Sequence, residues 1–155
     1  MRRWLMLIGA LATVTFLSTS DRAGTDVAKL RPVQTLWVSA SDGWVTVQTE
    51  SGEVGVGADF ASAVKNMEDA ADSRIFYQTA EYLLLNEEAL PQIEQLAQYL
   101  RPSCVVCMTE GSPVLEKVAQ FLEHHRAETT LQQYRSDSRK LPVLRTAEGR
   151  MTLVQ

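Results

Sequence analysis

One short run of residues constrains the fold of this chain more than any other feature. The run Tyr82–Leu85 places four large apolar side chains in a row. A continuous apolar run of this length is typical of a β-strand that is buried on both faces, as in a parallel sheet covered by helices. Asn86 follows at once and is a good helix N-cap, with Glu87 and Glu88 in the first turn, where the helix dipole favours anions. The pattern therefore predicts a buried strand that leads directly into a helix.

Three helices are predicted from apolar residues that recur at three and four positions. The first begins after the N-cap Asp59, and its apolar stripe consists of Phe60, Ala63, Val64, Met67, Ala70 and Ala71. The second follows Asn86, with a kink or a restart at Pro91, and its stripe consists of Ala89, Leu90, Ile93, Leu96, Ala97 and Leu100. The third has Ser112 as N-cap and Pro113 at its first position, and its stripe consists of Val114, Leu115, Val118, Phe121 and Leu122.

The predicted strands are rich in β-branched and aromatic residues and are separated by turn signals. Two of them form a hairpin around Ser41-Asp42-Gly43, and two others form a hairpin near the end of the chain around Ala147-Glu148-Gly149. The predicted strands are Val33–Ser39, Trp44–Thr49, Glu53–Gly57, a strand within Arg74–Leu85, Cys104–Met108, Leu141–Thr146 and Arg150–Val154. The polar segment Thr129–Ser138 has no clear pattern.

The order of these elements is hairpin, helix, strand, helix, strand, helix, hairpin. Strands that alternate with helices become parallel neighbours joined by crossovers, and the hairpins add strands at both ends. The predicted fold class is therefore α/β (mixed α+β), with a central mixed sheet, terminal hairpins and about three helices packed on it. The chain has 155 residues, which suits one domain, and we place that domain at residues 33–155.

The first twenty residues have the layout of an export signal. Arg2 and Arg3 supply positive charge, Trp4–Leu17 is almost entirely apolar, and Ser18–Ser20 is a small-residue stretch. A helix needs about 20 residues to span a bilayer, so this run favours a cleaved signal over a permanent anchor. We assign residues 1–20 as a signal peptide or N-terminal membrane segment and residues 21–32 as a linker. The predicted location is extracytoplasmic, membrane-associated or secreted, with membrane contact only through the N-terminal segment if it stays uncleaved.

Charge excludes one class of partner. The chain has 15 Lys and Arg against 19 Asp and Glu, which gives a formal net charge of −4. A protein that holds a phosphate backbone needs a basic field, and none is present here. We therefore expect no nucleic acid partner.

Cys104 and Cys107 are the first candidates for chemistry, because a Cys-x-x-Cys pair in an exported protein can be a redox pair. Such pairs work at the start of a helix, whereas both cysteines here lie in a β-branched run, where residues three apart point to opposite faces. A zinc site with His124 and His125 is disfavoured, since adjacent histidines on a helix diverge by about 100°. Buried, structural cysteines are the preferred interpretation.

The remaining candidates have ordinary structural interpretations. Gly52, Gly55 and Gly57 do not have the spacing of a dinucleotide site and are interpreted as turn and strand-end glycines. Acidic pairing of Glu81 with Glu110 has no support from spacing, and no nucleophile elbow surrounds Ser103 or Ser112. Packing positions in the core or on a sheet face are expected for the aromatic residues Trp37, Trp44, Tyr77, Tyr82 and Tyr99. We therefore predict no catalytic, cofactor-binding or metal-binding residue, no cofactor and no enzymatic activity.

A resemblance to a known family rests on ordered sequence pieces between about Leu36 and Leu122. L-W-V-S-A-S-D-G-W-V-T-V-Q is similar to the opening hairpin of the N-terminal domain of Ger(x)C spore-germination lipoproteins, the C subunits of nutrient germinant receptors. The pieces that follow, G-A-D-F-A-S-A-V-K-N-M, Y-Q-T-A-E-Y-L-L-L-N-E-E-A-L and L-A-Q-Y-L-R-P-S-C-V-V-C-M-T-E-G, resemble its helices and strands in the same order. The family's lipidated cysteine has no counterpart after Leu17, and its later domains are not matched.

This resemblance implies an exported, non-enzymatic protein of a spore-forming bacterium that acts through protein contacts at the outer face of a membrane. Its partners would then be membrane proteins or receptor subunits. Two alternatives stay open: an exported redox or other small enzyme that uses Cys104 and Cys107, and a ligand-binding module unrelated to spores. For the contact surface, we expect the exposed edges of the two hairpins, where unpaired strand groups can accept a partner strand.

Overall fold

A computed structural model describes residues 30–125, 127–137 and 139–155. The predicted signal peptide and all of the predicted linker up to residue 29 lie outside the described residues. Within the described part, Arg31–Gln155 forms one compact unit. The last three residues of the predicted linker belong to a short strand, so regular structure is present before residue 33, where the sequence analysis places the start of the domain.

The described residues form nine strands and four α-helices. The strands are β1 (Leu30–Pro32), β2 (Thr35–Ser41), β3 (Trp44–Thr49), β4 (Val54–Gly57), β5 (Arg74–Phe76), β6 (Tyr82–Leu85), β7 (Val105–Glu110), β8 (Val143–Ala147) and β9 (Arg150–Val154). The helices are α1 (Phe60–Ala70), α2 (Ile93–Leu96), α3 (Leu115–His125) and α4 (Leu131–Asp137), with 3₁₀ turns at Tyr77–Thr79 and Glu87–Gln92. None of the helices within these ranges has the length and apolar character needed to cross a bilayer.

Seven strands form one mixed sheet in the order β4-β3-β2-β6-β7-β8-β9. The four central strands β2, β6, β7 and β8 run parallel, and the outer pairs are antiparallel. β1 and β5 pair in a separate two-stranded sheet. The predicted architecture, parallel strands in the middle and hairpins at both ends, is confirmed.

Both predicted hairpins close with two-residue turns. Asp42 and Gly43 have φ of 52° and 79°, and Glu148 and Gly149 have φ of 49° and 74°. Two consecutive residues with positive φ are the mark of a type I′ turn, whose twist matches that of the flanking strands. The Asp-Gly and Glu-Gly pairs therefore fix the register of β2 with β3 and of β8 with β9.

Strand alternation divides the core between the two faces of the sheet. The first face carries Leu36, Leu83, Leu85 and Val106, and α1 packs there through Phe60, Ala63, Val64 and Met67. The second face carries Leu84, Cys107 and Leu144, which α3 covers with Leu115, Val118 and Leu122. Leu83, Leu84 and Leu85 are all 0% exposed, so the apolar run is buried on both faces as its sequence predicts.

The second predicted helix is shorter than its apolar stripe. Glu87–Gln92 is a 3₁₀ helix, and regular α-helix covers only Ile93–Leu96. Pro91 has no N–H to donate, and the neighbouring N–H groups of Ala89 and Ile93 bond three residues back, to Asn86 and Leu90. The predicted restart at Pro91 is confirmed. The part of the helix before Ile93 is 3₁₀ and therefore more tightly wound than the expected α-helix.

Arg74–Leu85 is divided between two sheets instead of forming one strand. β5 and β6 are separated by a 3₁₀ turn in which Thr79 Oγ1 accepts a hydrogen bond from Val33 N at 2.9 Å and lies 2.7 Å from Phe76 O. A side chain that bonds nearby backbone competes with the strand ladder, so the strand is interrupted here.

Two further boundaries differ from the sequence prediction. α3 begins at Leu115, so Ser112 and Pro113 lie in the preceding loop and do not cap the helix. The polar segment after Thr129 forms α4, which begins with a capping box: Thr130 and Gln133 each accept a hydrogen bond from the other's backbone N–H, at 3.3 and 3.0 Å. The spacing Thr-x-x-Gln is the sequence signal that predicts this helix.

Candidate functional site

Cys104 and Cys107 lie on opposite faces of the sheet. Both are 0% exposed, Cys104 in the core beneath the first face and Cys107 beneath α3. Burial raises the pKa of each thiol to about 12, so both are protonated at neutral pH. A reactive pair needs accessible, low-pKa sulfur atoms on one face, and this arrangement does not supply them.

His124 and His125 occupy the exposed last turn of α3. Their Nδ1 atoms lie 2.7 Å from Gln120 O and 2.8 Å from Phe121 O, one turn back, and the His125 ring stacks on Phe121 with centroids 3.9 Å apart. Both cysteines are buried, whereas both histidines are exposed. Within the described ranges, no three His, Cys, Asp or Glu residues are placed so that they can hold a metal ion.

The suspected acidic residues are spread over the sheet. Glu81 precedes β6 and Glu110 ends β7, and because these strands are parallel the two lie at opposite ends, about 20 Å apart along the strand direction. Each has a cation beside it: Arg101 Nη2 lies 3.5 Å from Glu81, and Arg145 Nε lies 2.7 Å from Glu110. They do not form the close pair that glycoside hydrolysis requires.

Gly55 and Gly57 are packing glycines of β4. Gly57 ends the strand, as the sequence predicts, whereas Gly55 lies within it and corrects that interpretation. A β-carbon on Gly55 would lie 2.1 Å from Ala63 O, and one on Gly57 would lie 2.4 Å from Ala63 N. The backbone of α1 fills the space that a phosphate would need. Asp59 caps that helix through Ser62, whose hydrogen bonds lower the pKa of the Asp59 carboxyl.

The carboxyl ends of the parallel strands are where open α/β sheets usually bind ligands. Here Asn86 and Glu110 form internal bonds, whereas Thr109 Oγ1, near the end of β7, is buried without a hydrogen-bond partner. Asn86 accepts from Ala40 N and Ala89 N at 2.9 and 3.0 Å and donates to Ala40 O at 2.7 Å. Glu110 is paired with Arg145, as above. Asn86 and Glu110 therefore have structural roles at this edge, joining strands to one another and to the following loop.

A surface cleft of about 460 Å³ lies between the start of β4 and the end of α1. Three charged residues line it: Arg31 and Glu53, which form an ion pair, and the exposed Asp72. Glu53 also accepts from the Thr49 hydroxyl. Burial acts to raise the pKa of Glu53, but the hydrogen bonds from Thr49 and Arg31 outweigh it and lower the pKa. Two of the three charged groups of the cleft are thus engaged with each other.

The second face of the β3–β4 hairpin is a different kind of surface. Three large apolar side chains point out there, Trp44 at 58% exposure, Val54 at 47% and Val56 at 45%. The register pairs Val54 with Gln48 and Val56 with Thr46, so all five side chains share one face. We call these five residues the open strip. Among the residues that the structure describes, this is where large apolar side chains of neighbouring strands are exposed together.

The exposure of Trp44 corrects the expectation that it packs in the core or against a sheet face. The other aromatic residues do pack: Trp37 and Tyr82 are half-buried against the second-face core, and Tyr77 and Phe60 contact Tyr99 edge to face. A sequence signal for the strip does exist. In Val-Gly-Val-Gly, valines alternate with glycines, so the two residue types lie on opposite faces of the strand. The glycine face allows a helix to pack closely, and the valines point to the other face.

The edges of the two hairpins are the outer strands β4 and β9. Asn66 Nδ2 of α1 donates to Val56 O at 2.8 Å, which ties part of the β4 edge to the helix. The open strip lies on the face beside that edge. For β4, the face is therefore a more available contact surface than the edge that the sequence indicated.

No family model, curated protein or solved structure matches this chain. The assignment of a function therefore depends on the geometry above and on the sequence patterns.

Proposed function

We propose that this chain is an exported, non-enzymatic protein that acts through contacts with other proteins, and that the open strip is its contact surface. The observation that carries the proposal is the exposure of Trp44, Val54 and Val56 on one face of one hairpin. Single exposed apolar residues are ordinary on protein surfaces, whereas a contiguous apolar patch rimmed by polar groups is typical of an interaction site.

The flat shape of the strip supports a protein partner over a small ligand. Small-molecule sites are concave and enclose most of the ligand surface. The strip is the face of a two-stranded hairpin, with Thr46 and Gln48 half-buried between the larger side chains. A flat surface with one large aromatic residue resembles the centre of a protein interface, where aromatic side chains contribute most of the binding energy.

Export is supported by the sequence of the first twenty residues, with Arg2 and Arg3 before the apolar run Trp4–Leu17. The resemblance to the N-terminal domain of germinant-receptor C subunits supports a site of action at the outer face of a membrane, with membrane proteins or receptor subunits as partners. The buried, high-pKa thiols of Cys104 and Cys107 count against the alternative of a redox enzyme.

Cross-linking in the cells that produce the chain tests the contact surface. The tagged wild-type chain should capture a partner that Trp44→Ser and Val54→Thr variants lose. Val154→Thr is the matched control, because Val154 has a similar exposure of 43% but lies on β9 at the other end of the sheet. If all three variants capture the same proteins as wild type, the open strip is not the contact surface.

A deletion mutant tests the link to spores. We expect its spores to respond more slowly to at least one nutrient germinant, with germination restored by the wild-type gene. Normal germination with every nutrient tested would remove the spore part of the proposal and leave the contact surface to be judged by the cross-linking result.

A further inference from the structure

We propose that the open strip receives a basic amphipathic helix of a partner protein, between three and four turns long, which lies on the sheet beside α3. This inference rests on the proposed function and names the partner that the surface fits. Three features carry it. No helix among the described residues covers the second face of β3 and β4, these strands contain no charged residue, and carboxylates lie along the borders of the strip.

The layer arrangement favours a helix. On the first face, α1 packs against both β3 and β4. On the second face, α3 covers the central strands and contacts β2, and within the described ranges no helix covers the β3–β4 hairpin. Helices packed on one sheet lie about 10 Å apart, which is two strand spacings. The next position beside α3 is therefore the open strip.

The length of the strip sets the length of the occupant. β3 has six residues, which span about 20 Å. A helix rises 1.5 Å per residue, so about 13 residues, or between three and four turns, cover this distance. Such a helix needs one apolar stripe to contact Trp44, Val54 and Val56, and it can donate or accept hydrogen bonds at Gln48 and Thr46 between them.

The side of α3 that faces the strip is acidic. Phe121 and His125 lie on the side of α3 toward Met151 of β9, as their shared surface cleft shows. Helical geometry then places Glu116, Ala119 and Glu123 on the opposite side, toward β2. In agreement, Glu123 is close enough to Tyr82 of β6 to contribute to its raised pKa, after burial and Glu81.

Other charges around the strip are compatible with this. Arg31, which lines the same cleft as Val54, is paired with Glu53. Asp42, in the β2–β3 turn beside Trp44, is exposed and acidic. The strands β2, β3 and β4 contain no Lys or Arg. A helix with Lys or Arg beside its apolar stripe would place cations against Glu116, Glu123 and Asp42. A second copy of this chain or an anionic membrane would bring negative charge to the same border and be repelled.

The test uses two helix-stabilised 14-residue peptides that share one stripe of leucines and carry either Lys or Glu at every flanking position. Binding to the full chain is titrated by isothermal calorimetry at low and moderate salt. We expect the Lys peptide to bind at least tenfold more tightly than the Glu peptide, with the difference shrinking as salt rises. Val54→Thr should weaken Lys-peptide binding several-fold, whereas the matched Val154→Thr should leave it unchanged.

Glu116→Gln and Glu123→Gln should each weaken binding of the Lys peptide about threefold, the usual effect of one exposed charge pair. Glu148→Gln, in the β8–β9 turn at the far edge of the sheet, is the control and should have no effect. Equal affinity for the two peptides, or an affinity for the Lys peptide that Val54→Thr leaves unchanged, would overturn the proposal.

The same variants also test two other occupants of the open strip, a second copy of this chain and a lipid membrane. Self-association of the chain in sedimentation, or binding to vesicles of 70% phosphatidylcholine and 30% phosphatidylglycerol, overturns the helix proposal if Val54→Thr abolishes it. If cross-linking captures a strip-dependent partner but the Lys peptide does not bind, the proposed function stands and the helix proposal falls. If the Lys peptide binds the strip but no partner depends on it in cells, the proposed function falls instead.

Discussion

Gly55 of β4 faces the backbone of Ala63 in α1 so closely that a β-carbon on Gly55 would lie 2.1 Å from the Ala63 carbonyl oxygen. The same atom would lie 2.8 Å from the backbone nitrogen of Met67. Backbone atoms cannot move aside as the end of a flexible side chain can. The contact therefore requires glycine, and it fixes how closely α1 packs on the sheet.

Gly55→Ala should lower the free energy of unfolding by about 3 kcal/mol, at the upper end of the usual cost of overpacking, because α1 must shift away from β4. Urea denaturation monitored by circular dichroism measures it. Gly52→Ala is the control: Gly52 has open space around it and a φ of 92°, so only the strain of positive φ applies, about 1 kcal/mol. Equal costs for the two variants would contradict the close packing of α1.

Cys104 and Cys107 should resist alkylation by iodoacetamide at pH 8 in the folded protein. Burial keeps both sulfur atoms from solvent and keeps both thiols protonated, with pKa values of about 12. Mass spectrometry should find neither residue modified until guanidinium chloride unfolds the chain, and both modified afterwards. An added exposed cysteine, Ser51→Cys, should react at once under native conditions. Rapid modification of either native cysteine would restore the redox alternative.

The same thiols make the protein less stable in alkaline solution. Their pKa is raised from the ordinary value of 9.0 to about 12, so above pH 9 the unfolded chain loses protons that the folded chain retains. Their contribution to stability is therefore complete below pH 9 and decreases as pH rises toward 12. Each thiol should reduce the free energy of unfolding by about 1.4 kcal/mol per pH unit in this range.

Urea denaturation at several pH values between 9 and 10.5 measures that slope. The Cys104→Ala/Cys107→Ala double variant is less stable overall, but its slope should be shallower than that of wild type. Burial of Tyr77 also raises its pKa, and this contribution is common to both proteins. Identical slopes would mean that the thiols are not buried in the folded state.

Asn86 joins the end of β6 to β2 and begins the helix that follows. Asn86→Asp keeps the oxygen that accepts from Ala40 N and Ala89 N, but it replaces the donor to Ala40 O by a second acceptor. We expect a loss of about 2 kcal/mol, because the Ala40 carbonyl loses its donor and faces negative charge. Thermal or urea unfolding measures it. Asn66→Ala, which removes one exposed bond to Val56 O, should cost about 1 kcal/mol or less and serves for comparison.

The sequence alone predicted most of the local structure. Alternating β-branched residues and Asp-Gly or Glu-Gly turns were enough to place both hairpins, since these signals act between neighbours in the chain. The opposite orientation of Cys104 and Cys107 also followed from strand geometry. The helix α4 was not predicted, because its residues are mostly polar and its few apolar side chains do not form a stripe that recurs at three and four positions. Its Thr130-x-x-Gln133 capping box was the signal that could have predicted it.

The candidate site was harder to predict, because the exposed face of β3 carries Trp44, a large aromatic residue of a type that is mostly buried in proteins. Which face of β3 and β4 becomes buried depends on where α1 and α3 pack. Gly55 and Gly57 allow α1 to approach the first face, while α3 is held over the central strands by Leu84, Cys107 and Leu144.

The sequence by itself therefore determined both hairpins, the order of the main elements and the parallel centre of the sheet, because periodicity and turn chemistry are local. Only the tertiary structure decided that Trp44, Val54 and Val56 remain exposed together. The physical reason is that exposure depends on the packing of helices distant in the chain, and a local pattern does not specify which strands those helices leave uncovered.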